Sequence, residues 1–393
     1  MSNFIYISPN FPANHWNFCN KLKENGINIL GIGDAPYDEL TWQLKNSLNE
    51  YYRVSTLESY DEVFRAVAFF SYKYGKIDFL ESNNEYWLER DARLRTDFNI
   101  TTGFHTEDMD MVKFKSRMKE NYIKAGVPVA RYHMVDDYEN CLKFIKEVGF
   151  PVVAKPDNGV GANDTHKIKN EEDLKHFFET KFDVTYIMEE YIYGEVETYD
   201  AIINSKGEAL FENGNVTVAN LMEAVSENKN SCFFERSRLP EDLLDAGRRT
   251  VKAFGVRSRF VHMEFFRLDR DQHIGKKNDI VALEVNMRPP GGVAPTMMNY
   301  ASSTDTYEIW ADMIAFDQTD RGKSREGVCC FASRRDGLTF THTPEEIRAR
   351  YGEKLKEEAR VEEALSGAMA NYMFLGNFDT EEEAREFAAY VLG

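Results

Sequence analysis

The chain has 393 residues, 42 % of them hydrophobic, which is enough to bury the cores of two or three domains and excludes wholesale disorder. It carries 66 acidic and 48 basic residues, a formal net charge of -18. Because nucleic-acid binding depends on neutralising phosphates, this excess of acid argues against a protein that works on nucleic acid. A local basic pocket for a nucleotide remains compatible with it.

The five cysteines are scattered along the chain without a CxxC spacing. An odd, scattered set is typical of reduced thiols, so we expect a cytoplasmic protein. The N-terminus has no charged and then apolar signal pattern, and no run of about 18 apolar residues could span a membrane. We therefore expect no membrane partner.

The N-terminal third alternates strand and helix patterns. Apolar runs predict strands at residues 4–8, 27–32 and 76–80, and helical spacing predicts helices at 16–24, 61–74 and 84–95. Strands that alternate with helices indicate a parallel sheet covered on both faces. We place this α/β domain at residues 1–108.

The rest of the chain mixes helices and strands as an α+β region. A basic helix is predicted from Met111 to Gly126, where the glycine ends it. Strands are predicted at residues 151–156, 184–188, 198–203, 260–266 and 280–288, and a helix at 171–178. A polar stretch then precedes a tail with two strand and two helix patterns. We divide the region into a domain at 109–320 and a small α+β subdomain at 321–393.

The strand Ile280–Arg288, IVALEVNMR, carries the first candidate site. Because side chains alternate between the faces of a strand, one face is apolar and the other carries Ala282, Glu284, Asn286 and Arg288. Arg288 can grip a phosphate or carboxylate in bidentate fashion. A half-buried surface strand alternates in the same way, so this strand alone does not distinguish a site from a surface.

The preceding strand, residues 260–266 (FVHMEFF), places Glu264 among large apolar residues, with His262 on the same face. An isolated carboxylate is costly to bury, whereas pairing across an antiparallel connection would bring Glu264 next to Glu284. Two carboxylates at close range are stable when a cation lies between them. Mg²⁺ or Mn²⁺ prefers oxygen ligands, and the side-chain oxygen of Asn286 would be a third such ligand. The competing interpretations are a surface ladder of ion pairs and a purely structural histidine.

A second candidate lies at Pro151–Thr165, PVVAKPDNGVGANDT. Lys155 ends a strand, and the following loop, with Gly159 and Gly161, can cradle phosphates through its backbone amides. The segment is not a P-loop, because no Gly-Lys-Ser/Thr closes it. A third candidate, Met188–Asp200 (MEEYIYGEVETYD), combines acids with an aromatic–aliphatic pair, as an adenosine site requires.

Taken in order, these segments resemble the ATP-grasp superfamily over roughly residues 105–320. The motifs that carry the resemblance are KFKSRMK, VVAKPDNGVG, EEYIYGEVE, HMEFF and EVNMRPPGG. The resemblance implies two α+β lobes that clamp ATP, with a central lid subdomain at about 127–200. It also implies that the N-terminal α/β region is a pre-ATP-grasp domain.

The resemblance further implies the nucleotide-binding residues. Lys115 and Lys155 correspond to the two lysines that contact the ATP phosphates, with Lys155 also taking part in catalysis. Gly159 and Gly161 correspond to the loop that closes over these phosphates. In this chain the loop continues Ala162-Asn163-Asp164, where many relatives have small Ser or Gly residues.

The adenosine contacts are implied in the same way. Glu189 corresponds to the acid near the adenine amino group, and Tyr191 and Ile192 to the hinge whose backbone reads the ring edge. Glu197 corresponds to the position that contacts the ribose, with Glu195 as a competing alternative.

The reacting centre is implied by the two antiparallel strands. Glu264, Glu284 and Asn286 correspond to the metal ligands, and Arg288 to the catalytic residue that steadies the acyl phosphate or its carboxylate precursor. A further basic residue is often supplied before the Glu264 strand. Arg236 and Arg238 are both candidates.

The chemistry typical of this superfamily is carboxylate activation. The resemblance is to carboxylate–amine ligases, including those of amino acids. We therefore expect an ATP-dependent ligase that activates a carboxylate as an acyl phosphate and couples it to an amine, forming an amide or peptide bond with release of ADP and phosphate, with ATP and Mg²⁺ or Mn²⁺ as cofactors. Its partners would be a small-molecule carboxylate and a small-molecule amine. The sequence is also compatible with a homodimer. The alternatives are an ATP-grasp carboxylase or phosphotransferase, and a regulatory protein that binds ATP without turnover.

Overall fold

The computed structural model describes residues 2–159, 164–218 and 230–393. The described strands are β1 Asn3–Ile7, β2 Asn28–Gly33, β3 Glu50–Arg53, β4 Phe79–Glu81, β5 Tyr132–Met134, β6 Val152–Pro156, β7 His166–Ile168, β8 Tyr186–Glu190, β9 Gly194–Ile203, β10 Ala209–Thr217, β11 Ser231–Arg236, β12 Arg259–Leu268, β13 Ile280–Asn286, β14 Val328–Arg334, β15 Leu355–Arg360 and β16 Tyr372–Phe378. The described α-helices are α1 Trp16–Glu24, α2 Trp42–Ser47, α3 Tyr60–Tyr74, α4 Leu88–Asp97, α5 Met109–Lys113, α6 Lys115–Lys124, α7 Tyr138–Val148, α8 Glu171–Thr180, α9 Glu241–Ala253, α10 Ala294–Ser302, α11 Thr306–Phe316, α12 Pro344–Tyr351, α13 Glu363–Met369 and α14 Glu381–Leu392.

The first four strands form a parallel sheet in the order β3-β2-β1-β4. Helices α3 and α4 cover one face, where Ile5 and Leu30 pack against Phe70. Helices α1 and α11 cover the other, where Phe4 lies against Trp310. All five residues of β1 are buried, as expected of a strand between two helical layers. The predicted α/β architecture of the N-terminal third is confirmed.

A small antiparallel sheet, β5-β8-β6-β7, follows in the region that we predicted as the lid. Helices α7 and α8 cover one of its faces, and Ala154 and Met188 contribute to the core between them. Lys155 and Glu189 alternate with these two residues along β6 and β8, so they project from the opposite face.

The largest sheet has eight strands in the order β13-β12-β9-β10-β11-β14-β16-β15, and every described pairing in it is antiparallel. Helices α6 and α9 pack on one face, where Tyr122 and Phe254 contact the strand residues. Helix α10 packs on the other face through Met297. The strands β14–β16 continue this sheet across residue 320. The predicted α+β class is confirmed, and the domain boundaries stay predictions.

Two local predictions are wrong. The single helix predicted from Met111 to Gly126 is broken at Phe114, where the backbone is extended. The reason is a tertiary contact, because Asp157 accepts the backbone N–H groups of Lys115 and Ser116 and so begins a new helix there.

The second error concerns the faces of β13. Glu264 is paired with Glu284 and Phe265 with Ala282, which leaves Leu283 as an extra, bulged residue. Ala282 consequently packs in the same core as Val285, on the face opposite to Glu284. The strict alternation that we predicted holds only for the residues after the bulge.

None of the described helices is long and apolar enough to cross a membrane. All five cysteines are free and buried, in agreement with the expectation of reduced thiols. Burial raises the pKa of the Cys19 thiol well above its ordinary value, which keeps it protonated.

Candidate active site

The two carboxylates predicted to hold a metal lie directly opposite each other on neighbouring strands. Glu264 of β12 is the register partner of Glu284 of β13, and His262 is the partner of Asn286. Asn286 Nδ2 donates to Glu264 Oε1 at 3.3 Å. Directly opposed side chains on antiparallel strands are close neighbours, so the predicted pairing is confirmed. Two carboxylates and an amide oxygen form the oxygen-donor set that Mg²⁺ or Mn²⁺ prefers.

The protonation of this pair reflects its crowding. Burial raises the pKa of Glu284, and the neighbouring Glu264 and Glu85 carboxylates reinforce the shift against the opposing charge of Lys115. Burial acts in the same direction on Glu264, but the hydrogen bond and charge of His262 outweigh it and lower its pKa. A divalent cation between the two would relieve their repulsion.

His262 lies between two acids. Its Nδ1 is 2.6 Å from Asp200 Oδ1, and its Nε2 is 3.4 Å from Glu264 Oε1. Burial disfavours the imidazolium, but Asp200 and Glu264 outweigh burial and raise the pKa of His262 to about 10. A histidine that is protonated at neutral pH donates to both carboxylates. This geometry favours the structural interpretation of His262 over a general base.

Lys115 lies at the start of α6 and links the metal carboxylates to the glycine loop. Its Nζ is 3.4 Å from Glu284 Oε1 and donates to the carbonyl of Gly159 at 3.1 Å. Asp157 fixes the position, because its backbone carbonyl and side chain accept the first N–H groups of α6. The structure therefore brings Lys115, Gly159 and Glu284 together. Gly161 lies outside the described residues.

Lys155 is part of a buried triad with Glu189 and Lys119. Glu189 accepts from Lys119 Nζ at 2.5 Å and from Lys155 Nζ at 2.6 Å, and all three residues are less than 9 % exposed. Burial would raise the pKa of Glu189, but the two lysines outweigh it and lower the pKa to about 2. The triad therefore joins Lys119 of α6 to the lid face that carries Lys155 and Glu189, with two buried positive charges and one negative charge.

The predicted hinge follows β8. Ile192 is buried in an apolar cluster with Ala130 and Val281, which joins the lid to the large sheet. The Tyr191 ring lies under Lys167, whose Nζ is 4.2 Å from the ring centre and 3.1 Å from the hydroxyl oxygen. The adenine contacts of Tyr191 and Ile192 stay a prediction.

Glu197 is placed away from the metal carboxylates. On β9 it pairs in register with Phe265, whereas Thr198 pairs with Glu264, so Glu197 projects to the opposite face of the sheet. There it accepts from Arg236 at 2.8 Å and Arg267 at 2.9 Å. The competing residue, Glu195, is exposed. The ribose contact stays a prediction for both.

The two candidates for the further basic residue both form ion pairs with acids, and the choice between them stays a prediction. Arg236 is bound to Glu197 and Glu381, and Arg238 has a side chain that is 81 % exposed, 3.7 Å from Glu326. The structure also places a cation beside Lys155 that was not predicted, Lys119, which shares Glu189 with it. Sequence reasoning missed it, although Lys119 follows Lys115 by four residues and so shares its helix face.

Arg288 lies just beyond β13, next to the N-terminal domain. It donates to the carbonyl of Pro289 at 2.8 Å and to Asn286 Oδ1 at 3.4 Å. Its Nε is 4.0 Å from Oε2 of Glu85, which is itself bound to Lys113 at 3.0 Å. Glu85, Lys113 and Asp200 were missed, and no sequence pattern distinguishes Glu85 or Lys113 from surface charges.

One segment of the chain matches a known family. Residues 110–198 match the family model of the carbamoyl-phosphate synthase L chain, ATP binding domain. Two curated relatives are carbamoyl phosphate synthase large chains from Methanopyrus kandleri (C-terminal section) and Methanothermobacter thermautotrophicus. Each is 24 % identical, over 35 % and 46 % of this chain, and the matches cover only 26 % and 17 % of those proteins.

Solved structures match over almost the whole chain. An L-amino acid ligase from Bacillus licheniformis has a TM-score of 0.72 at 13 % identity, covering 100 % of this chain and 97 % of its own. A biotin carboxylase from Campylobacter jejuni has a TM-score of 0.69 at 18 % identity, covering 98 % and 89 %. A phosphoribosylglycinamide synthetase from Anaerococcus prevotii has a TM-score of 0.67 at 16 % identity, covering 99 % and 97 %. The chain therefore has the fold of these three enzymes, and its residues 110–198 match an ATP-binding domain family.

Proposed function

We propose that the protein is an ADP-forming ligase that activates a carboxylate as an acyl phosphate and couples it to an amine. The observation that carries the proposal is the opposed pair Glu264 and Glu284, with Lys115 3.4 Å from Glu284 and Arg288 just beyond β13. Phosphoryl transfer depends mainly on positioning and on neutralising charge, and this arrangement provides both.

In the proposed reaction a carboxylate oxygen of the substrate attacks the γ-phosphorus of ATP, and the bond to ADP breaks. The amine then attacks the carbonyl carbon of the acyl phosphate, loses a proton, and displaces inorganic phosphate. Arg288 would hold the carboxylate, while Lys115 and Lys155 would hold the ATP phosphates.

The remaining residues would bind the nucleotide and the metal. Mg²⁺ or Mn²⁺, held by Glu264, Glu284 and Asn286, would supply charge neutralisation at the phosphates. The other proposed nucleotide contacts are Gly159, Gly161, Glu189, Tyr191, Ile192 and Glu197. A homodimer and a cytoplasmic location stay predictions.

The test is a phosphate-release screen with ATP, Mg²⁺ and small carboxylates and amines offered singly and in pairs. The ligase reaction requires phosphate that depends on both partners. ADP formed with a carboxylate alone, without inorganic phosphate, would favour a phosphotransferase, and phosphate released with bicarbonate would favour a carboxylase. ATP binding without phosphate release under any pairing would favour a regulatory protein.

Glu284→Gln tests the metal assignment in the same assay. The variant keeps the size of the side chain and removes a charge, so we expect it to fold and to lower ADP formation by roughly 100-fold or more. Glu179→Gln on α8 is the matched control, because Glu179 is an exposed acid far along the lid helix. Turnover of Glu284→Gln at the rate of the control would contradict the metal site.

A further inference from the structure

Glu85 is an acid of the N-terminal domain that reaches the candidate active site. It begins the short 3-10 turn Glu85–Trp87, which follows β4. The carboxyl ends of parallel strands are where α/β sheets commonly bind ligands. Glu85 is only 5 % exposed, so its carboxylate is enclosed by the protein rather than solvated.

The two oxygens of this carboxylate have different surroundings. Oε1 accepts from Lys113 Nζ at 3.0 Å, and the same ammonium donates to the Glu85 carbonyl at 3.2 Å. Oε2 is buried and, within the described part of the chain, has no hydrogen-bond partner. A buried carboxylate oxygen without a donor is costly, which indicates that a donor arrives with a ligand.

The guanidinium of Arg288 lies beside this oxygen, but its Nε is 4.0 Å from Oε2, beyond hydrogen-bonding distance. Among the residues that the structure describes, Pro289 and Asn286 accept from two of the five N–H groups of Arg288, which leaves three for a ligand. The structure thus presents an unpartnered acceptor and unused donors side by side.

The charges select what can bind between these groups. A simple carboxylate held by Arg288 would bring its negative charge beside the unpartnered oxygen of Glu85. A divalent cation at that oxygen would instead add two positive charges next to Lys113 and Arg288. A ligand that carries an ammonium one carbon away from its carboxylate satisfies both groups at once, because the carboxylate meets Arg288 and the ammonium meets Glu85.

Building on the proposed ligase function, we infer that the carboxylate activated by this enzyme belongs to an α-amino acid. Glu85 recognises the ammonium group and Arg288 the carboxylate. Glu85 is therefore a specificity-determining residue that the N-terminal domain contributes to the ATP-grasp site.

The experiment separates activation of the acid from choice of the amine. Hydroxylamine traps an acyl phosphate as a hydroxamate, so the enzyme is incubated with ATP, Mg²⁺, hydroxylamine and one acid at a time. The acids are the common α-amino acids, in both enantiomers, each matched with its des-amino analogue, such as alanine with propionate. We expect hydroxamate from an amino acid and much less from its analogue.

Glu85→Gln retains the shape of the side chain and removes its charge. Losing a charge-assisted hydrogen bond should lower the preference for amino acid over analogue, measured as a ratio of kcat/KM values, by roughly 10- to 100-fold. Glu89→Gln, an exposed acid one turn further along the chain, is the matched control and should keep the wild-type ratio.

Three outcomes would overturn the inference. The first is a wild-type enzyme that activates des-amino acids as well as amino acids, which leaves the ligase function standing. The second is a Glu85→Gln variant that loses activity on both substrates equally, which assigns Glu85 to structure. The third is the absence of hydroxamate with any acid, which refutes carboxylate activation itself.

Discussion

Glu189→Gln removes the single negative charge from the buried triad formed with Lys119 and Lys155. The lysines remain 3 % and 7 % exposed, at hydrogen-bonding distance from the new amide. The pKa of Glu189 is lowered from 4.5 to about 2, because the lysines outweigh the cost of its burial. At about 1.4 kcal/mol for each pKa unit, this corresponds to roughly 3 kcal/mol of stability at neutral pH.

Removing one partner of a buried ion pair typically costs about 3–5 kcal/mol, because the remaining charges stay buried without compensation. We therefore expect Glu189→Gln to lower the free energy of unfolding by about 3 kcal/mol at pH 7.

The pH dependence follows from the direction of the shift. A carboxylate with a lowered pKa in the folded state stabilises the protein fully above its unfolded value. That stabilisation is lost as the pH falls from about 4.5 to about 2. The difference between wild type and Glu189→Gln should therefore shrink across this acid range, since the wild-type carboxyl group also becomes neutral.

Urea unfolding followed by far-ultraviolet circular dichroism, at pH 7 and at steps down to pH 3, measures this difference. Glu120→Gln is the matched control on α6, because Glu120 is exposed and pairs only with Arg117 in the described structure. The control should change stability by less than about 0.5 kcal/mol. Equal stability of Glu189→Gln and the control at pH 7, or a deficit that persists unchanged into acid, would refute the reasoning.

Two further predictions concern stability. Burial and the neighbouring Glu81 raise the pKa of Asp91 from 3.8 to about 7. Between pH 3.8 and about 7, the Asp91 carboxyl group is therefore protonated in the folded protein and ionised in the unfolded chain. The wild type should lose stability, on the order of 4 kcal/mol, as the pH rises from 4 to 8, and Asp91→Asn should remove most of that loss in urea unfolding at both pH values. Phe265→Ala should lower the unfolding free energy by about 3–5 kcal/mol, since the ring is fully buried against Tyr122, and a thermal midpoint equal to wild type would contradict it.

Local patterns were sufficient for much of the fold. The helix Trp16–Glu24 occupies the residues predicted for it, and the alternation of elements in the first third led to the observed parallel sheet. These features depend on spacing within one element, which the order of residues already contains. The same holds for Glu264 and Glu284, because two neighbouring strands with a polar connection tend to pair in antiparallel fashion.

The errors arose where a distant residue changes the local backbone. Phe114 interrupts the helical pattern because Asp157, more than 40 residues later, supplies the hydrogen bonds that begin α6. The bulge at Leu283 likewise depends on the partner strand and not on β13 alone. Neither a helix break nor a bulge of this kind has a marker in its own segment.

The sequence was therefore sufficient to propose which residues form the site. It did not reveal which charged side chains pair with one another there. The order of Lys115, Lys155, Glu264 and Glu284 along the chain predicted a nucleotide and metal site. Only the tertiary structure joined Lys119 to Glu189, His262 to Asp200 and Glu85 to Arg288. The physical reason is that these contacts join separate elements, and electrostatic interactions depend on distance and burial in space and not on spacing along the chain.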